Sequence, residues 1–248
     1  MLLQDKIAVI YGGAGSIGSV VARRFAAEGA SVHLTGRHLA PLDAIAEEIT
    51  ANGGTATTAL VDAHDQAAVD AHATAMLATD GRIDVSFNAI SHGQVQGTAL
   101  VDLALEDFMR PIIAAARTHF ITATTAARAM VAQGSGVIIM LSSSAAQESR
   151  HRMGGFNLAC AGVEALTRSL AGEVGPYGVR VVALRPNLIP ETAPAMSARD
   201  LETLLNDTLT GRLPRLDEVA SAAAFPGSDQ AGAITGAVMN LTCGAIID

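Results

Sequence analysis

The 248-residue chain has only two cysteines, Cys160 and Cys243. One distant pair makes neither a disulfide framework nor a metal-ligand spacing, which points to a reducing compartment. The seven histidines are scattered. No His-x-x-x-His pair or HExxH stretch suggests a zinc site, and no metal is expected. Charged residues are 16% of the chain, with both signs interspersed and a net charge of −8. No basic patch suggests nucleic acid, and no charge block suggests a tail. No uncharged apolar run approaches ~18 residues, so no membrane span is expected. The opening MLLQDKIAVIYGGAG lacks the basic region and cleavage site of a signal peptide. The expectation is a cytoplasmic protein. Linkers, repeats and low-complexity tracts are also missing, so a single domain is expected.

What remains is a regular alternation. Lys6–Tyr11 reads as a buried strand, and Ile17, Val20, Val21 and Phe25 then recur at helical spacing until Gly29 stops the helix. Ser31–Thr35 is a second strand, followed by a helix marked by Leu42, Ile45, Ala46 and Ile49. Further strands are predicted at Thr55–Val61, Ile83–Asn88, Val137–Leu141, Arg180–Leu184 and Val238–Leu241. Strand, helix, strand, repeated, predicts an α/β Rossmann fold: a doubly wound parallel sheet of about seven strands with helices on both faces. Residues 187–212 are the least regular, with Pro190 and Pro194 before a short helix that starts near Ser197 and runs to Leu209. A long excursion after a strand reads here as a lid over a ligand; a surface elaboration is the alternative.

The stretch YGGAGSIG (Tyr11–Gly18) follows the first strand and opens the first helix, with Gly12, Gly15 and Gly18 spaced three apart. Such glycines make a tight turn, let backbone approach a pyrophosphate, and pack helix on sheet. The helix N-terminus then offers unpaired N–H groups to phosphate. The second strand ends in LTGRH. An acid here would take the ribose 2′-hydroxyl of NAD; Arg37, with His38 beside it, suits a 2′-phosphate and favours NADP(H) over NAD(H). An ordinary exposed arginine is the alternative.

These motifs resemble the short-chain dehydrogenase/reductase family over nearly the full length. The family's TGxxxGxG loop matches at Gly12, Ile17 and Gly18, with Tyr11 for threonine and Ser16 for the middle glycine. Asp62 falls on the family's adenine-side aspartate, with Ala63 next to it. DVSFNAIS resembles DVLVNNAG, with Asn88 retained and Ala89 after it. VRVVALRPNLIPET resembles RVNxVxPGxIxT, with Pro186, Ile189 and Thr192 matching and Asn187 in place of glycine. The resemblance implies cofactor contacts at these positions and at Gly15, Arg37 and His38. GVIIMLSSSAA places the family's catalytic serine on Ser143. In the helices around Leu105–Val131 and Phe156–Val174, and in the C-terminal segment, the resemblance implies a homo-oligomer, a tetramer or dimer.

Counting thirteen residues from Ser143, and then four more, the catalytic tyrosine and lysine positions of the resemblance fall on Phe156 and Cys160. The family's relay asparagine falls on about Ala115. YxxxK reads FNLAC in this chain. Phenylalanine has no proton to give, and a neutral thiol supplies no cation. By periodicity alone, Phe156, Ala159, Cys160 and Val163 form one apolar helical stripe. His151 and His92 are candidate replacement donors, with exposed loop histidines as the alternative for each. Three functions stay open. The first is an atypical NADP(H)-dependent oxidoreductase acting on a small, apolar carbonyl, alcohol or enoyl substrate. The second is a catalytically impaired cofactor-binding pseudoenzyme or scaffold. The third is a non-redox lyase or isomerase. Residues 1–90 are the expected nucleotide half, and 91–248 the substrate half.

Overall fold

The computed structural model describes residues 1–193 and 195–248; Pro194, placed in the lid by the sequence, lies outside the described residues. The strands are β1 (Ile7–Tyr11), β2 (Ser31–Gly36), β3 (Thr55–Leu60), β4 (Val85–Asn88), β5 (Gly136–Leu141), β6 (Val179–Pro186) and β7 (Ala237–Leu241). They form one sheet in the order β3-β2-β1-β4-β5-β6-β7, every neighbouring pair parallel. The helices are α1 (Ser16–Ala27), α2 (Leu39–Ala51), α3 (Gln66–Asp80), α4 (Leu105–Gln133), α5 (Gly155–Val174), α6 (Ala198–Asn206) and α7 (Leu216–Gly227). No helix among the described residues is long and apolar enough to cross a membrane.

Parallel strands bury both faces, which is why they read as continuous apolar runs. On one face Val9, Tyr11, Ile138 and Met140 pack with residues of α3, α4 and α5. On the other, Ala8, Ile10, Val32 and Leu34 pack with α1, α2 and α7. Strand order reverses between β2-β1 and β1-β4, so a crevice opens at the carboxyl ends of β1 and β4. There the Gly12 loop meets Asn88.

Several sequence-based boundaries shift by one to three residues. Lys6 precedes β1 and pairs with Asp229 at 2.8 Å. Ile83 lies before β4, where its N–H donates to the Gln133 side chain rather than joining a strand pair. Helix α6, in the segment expected as a lid, stops at Asn206, and Leu209 follows in a turn packed against Gly244. α6 has no fully buried residue. Just past its end, Asp207 pairs with Arg150 and His151, while Leu201, Leu204 and Leu205 are half-buried.

Candidate active site

The glycine loop is built by close contacts. Gly12 has φ +78°, a conformation that favours glycine, and a Cβ there would meet the Ala89 carbonyl at 3.0 Å. A Cβ on Gly18 would stand only 2.2 Å from the Gly12 carbonyl oxygen. The loop is thereby pressed onto the first turn of α1. Gly15 is the N-cap, with no side-chain cap and no acidic residue in the first turn. The leading N–H groups of α1 have no partner from their own cap, and an anion is the group that satisfies them.

Around this loop stand the other expected cofactor residues. Ser16 is exposed and Ile17 half-buried at the start of α1. Arg37 and His38 are exposed just beyond β2, and Arg37 makes no ion pair among the described residues. Asp62, also exposed, accepts the His64 N–H at 3.0 Å, and Ala63 beside it is buried. Asn88 is buried and fully engaged: its Nδ2 donates to Thr122 Oγ1 at 3.0 Å, and its Oδ1 accepts the Ile90 N–H at 2.9 Å. Pro186 ends β6; Ile189 is buried beyond it, and Thr192 Oγ1 donates to the Ile189 carbonyl at 2.8 Å. These residues lie at the carboxyl ends of β1, β2, β3, β4 and β6, where the polar groups present fit a dinucleotide: open helix N–H groups, a lone guanidinium and a carboxylate.

Ser143 follows β5 and is half-buried. Its Oγ accepts the Ala145 N–H at 3.3 Å, leaving its proton free to donate. The turn is tied to α5 by Asn157, whose Nδ2 donates to the Ala145 and Glu148 carbonyls at 2.9 and 2.5 Å. The double glycine before Phe156 has a packing cause. A Cβ on Gly154 would lie 2.9 Å from the Val95 carbonyl oxygen, and one on Gly155 would overlap the Phe108 carbonyl. Phe156 is accordingly drawn against the loop after β4.

Cys160 is completely buried. Burial, with Glu164 nearby, pushes its thiol up, only partly offset by a hydrogen bond to the Ser143 backbone. It is a protonated core thiol rather than a thiolate. Phe156, one turn earlier, is half-buried and does not share the core stripe expected from periodicity. Ala115 is buried in the core of α4.

The two candidate donors differ. His151 is held: its Nε2 lies 2.9 Å from Asp207 Oδ2, and Arg150 Nη1 reaches Asp207 Oδ1 at 2.9 Å. Both side chains thus hold Asp207 at the end of α6. His92 is 6% exposed, so the exposed-loop alternative does not hold for it. Its ring lies 5.9 Å from that of Phe156 and 5.6 Å from that of His119 on α4. Burial pushes His92 down to about 4; it pushes His119 to about 3, with His92 adding to the shift. Both are neutral at pH 7.

Sequence reasoning missed Glu164, Arg185 and His119. Behind Ser143, Ser142 Oγ donates to Glu164 Oε1 at 2.9 Å. Arg185 grips the same carboxylate through Nε at 2.7 Å and Nη2 at 2.8 Å, and also bonds Asp248. An arginine inside the apolar run VVALRP and a glutamate in the α5 stripe were the available signals, since buried charges come in pairs. His119 carried no local signal.

The model of a family described as enoyl-(acyl carrier protein) reductase matches residues 12–245. A (5R,7aS)-5-hydroxy-7a-methyl-1-oxo-2,3,5,6,7,7a-hexahydro-1H-indene-carboxyl-CoA reductase of Mycobacterium tuberculosis is 34% identical, over 98% of this chain and 94% of its own. An L-rhamnose 1-dehydrogenase (NAD(P)(+)) of Azotobacter vinelandii is 30% identical, over 100% and 99% of the two chains. Among solved structures, a 7α-hydroxysteroid dehydrogenase complexed with NADH and 7-oxo glycochenodeoxycholic acid superposes with a TM-score of 0.90 at 25% identity, covering 99% of this chain and 96% of that one.

Proposed function

The chain belongs to the short-chain dehydrogenase/reductase family, and we propose that within it this protein is an NADP(H)-dependent oxidoreductase with an altered proton-transfer site. Its relatives are named dehydrogenases and reductases, and the family uses NAD(H) or NADP(H). The preference for NADP(H) rests on Arg37, an exposed cation without an ion-pair partner among the described residues, standing where β2 ends.

Residues 1–90 hold the cofactor and 91–248 the substrate. The α1 N-terminus and the Gly12–Gly18 backbone take the pyrophosphate, Asp62 the adenine side, and Asn88 shapes the β4 edge. A bound nicotinamide supplies or accepts the hydride. Ser143 Oγ–H donates to the substrate carbonyl and polarises it. Phe156 and Cys160 occupy the positions of the family's tyrosine and lysine, so neither donates the proton nor lowers a donor's pKa. The half-buried Phe156, with Met196, Leu201, Leu204 and Leu205 of the lid, favours a small apolar carbonyl, alcohol or enoyl substrate. Exposed Leu105, Met109, Ile113, Phe120 and Leu158 on α4 and α5 form an apolar face suited to a second copy of the chain.

The observation that carries the reading is the uncapped α1 N-terminus pressed against Gly12. Calorimetric titration with NADPH and NADH tests it, followed by NADPH oxidation with acetoacetyl-CoA, crotonyl-CoA and 1-indanone. Tighter NADPH binding and turnover of one probe are expected. Binding without turnover favours the cofactor-binding pseudoenzyme; no binding of either nucleotide removes the reading.

A further inference from the structure

Every oxygen that becomes a hydroxyl needs a proton, and Phe156 cannot give one. One polar ring stands beside Phe156, and a second stands beside that one. His92 lies against Phe156 from the end of β4, and His119 lies behind His92 on α4. His119 is 1% exposed, and neither of its ring nitrogens has a hydrogen-bond partner among the described residues; the same holds for the buried Nδ1 of His92. Three orphaned nitrogens in one spot are costly in a fold that pairs almost all its buried polar atoms. Such a cost is retained where the groups serve a ligand.

We infer that His92 is the proton donor to the substrate oxygen and that His119 is the positioning residue that sets its tautomer. This rests on the oxidoreductase reading above. The rings are edge-to-face, with centroids 5.6 Å apart at 73°. From there one ring rotation or one bridging water brings a His119 N–H onto His92 Nδ1. That bond leaves the His92 proton on Nε2, because the nitrogen that accepts cannot also carry the hydrogen. In reduction, the carbonyl carbon gains the hydride and the C–O π pair moves to oxygen. The Nε2–H bond breaks as the new O–H bond forms. The electron pair left on the ring is stabilised by the His119 N–H, and a water then gives a proton to Nε2 and leaves as hydroxide, which bulk solvent neutralises. Both rings start neutral, which suits a donor that is an imidazole and not an imidazolium.

The test uses the full chain with NADPH and the three probes named above. His92→Phe and His92→Gln are expected to lower kcat by ~10²-fold or more with NADPH affinity unchanged. His119→Phe and His119→Gln are expected to lower it by a smaller factor. Thermal melts by circular dichroism show which variants are folded, and the better-folded one at each position is compared. The spectroscopic readout is the long-range 1H–15N spectrum of the histidine rings at pH 7. Wild type is expected to show His92 as one Nε2–H tautomer, and the His119 variants a tautomer mixture; a purely space-filling His119 would leave that ratio unmoved. A folded His92 variant with kcat within twofold of wild type overturns the donor role. An unchanged tautomer in the His119 variants overturns the pairing. If wild type turns over none of the probes, the reductase reading fails on its own terms. The spectra of the free protein then still decide the pair, and a mixed His92 tautomer there refutes it.

Discussion

Substituting Gly18 by alanine tests the cofactor loop where its geometry is tightest. The added Cβ would lie 2.2 Å from the Gly12 carbonyl oxygen, 3.0 Å from its carbon and 3.2 Å from the Gly13 Cα. All three are backbone atoms, so no flexible side chain can yield. Restoring ordinary contact moves the loop by roughly 1 Å, and a displacement of that size at a positioned site costs on the order of 10²-fold. The expected result is NADPH binding weakened ~10²-fold, equivalent to about 2.7 kcal/mol. Calorimetry reads the affinity, and circular dichroism confirms that the sheet is intact. Gly172→Ala is the control. Gly172 is in the last turn of α5 with nothing within 4 Å of its Cβ position. It should leave NADPH affinity alone and stabilise the fold by roughly 0.5–1 kcal/mol, the ordinary penalty of a helical glycine. A folded Gly18→Ala protein that binds NADPH as tightly as wild type would refute the argument that this loop cradles the pyrophosphate.

Three further outcomes are expected. Arg37→Ser should weaken NADPH binding by about 10- to 100-fold and leave NADH binding unchanged, since only the 2′-phosphate loses a charge-assisted bond; equal losses for both nucleotides would place Arg37 elsewhere. Arg185→Met strands Glu164, which is buried, with only the Ser142 hydroxyl, and should cost about 3–5 kcal/mol. In a chain of this length that lowers Tm by roughly 10 °C, readable by calorimetric melting. The third concerns pH. His92 and His119 are held down to about 4 and 3 in the fold, below their ordinary value of 6.5. Below that value the unfolded chain binds protons that the folded one refuses. Stability is therefore complete above 6.5 and falls with pH towards 4, by about 1.4 kcal/mol per pH unit for each ring. Melts between pH 7 and 4.5 should show this slope, and His119→Phe should flatten it.

The fold was legible because its signals are local. A buried parallel strand is a short apolar run, and α1, α2 and α5 bury residues at helical spacing, so alternation alone implied a doubly wound sheet. Gly12 and Gly18 were legible for the same reason: the turn they make is completed within seven residues. Arg37 was readable as the exposed residue just past the end of a strand. Chemistry that needs two distant segments was not readable. Nothing near His92 says that it leaves solvent, and nothing near His119 says that it faces His92. The two meet because α4 packs beside β4, and α5 brings Phe156 against His92. Likewise Glu164 and Arg185 belong to α5 and β6, and only the layering of helix on sheet makes them a pair. Sequence alone determined which elements form, since periodicity and backbone sterics act over a few residues. Tertiary structure decided which buried polar groups find partners and which are left without one, since that depends on the contacts of elements far apart in the chain.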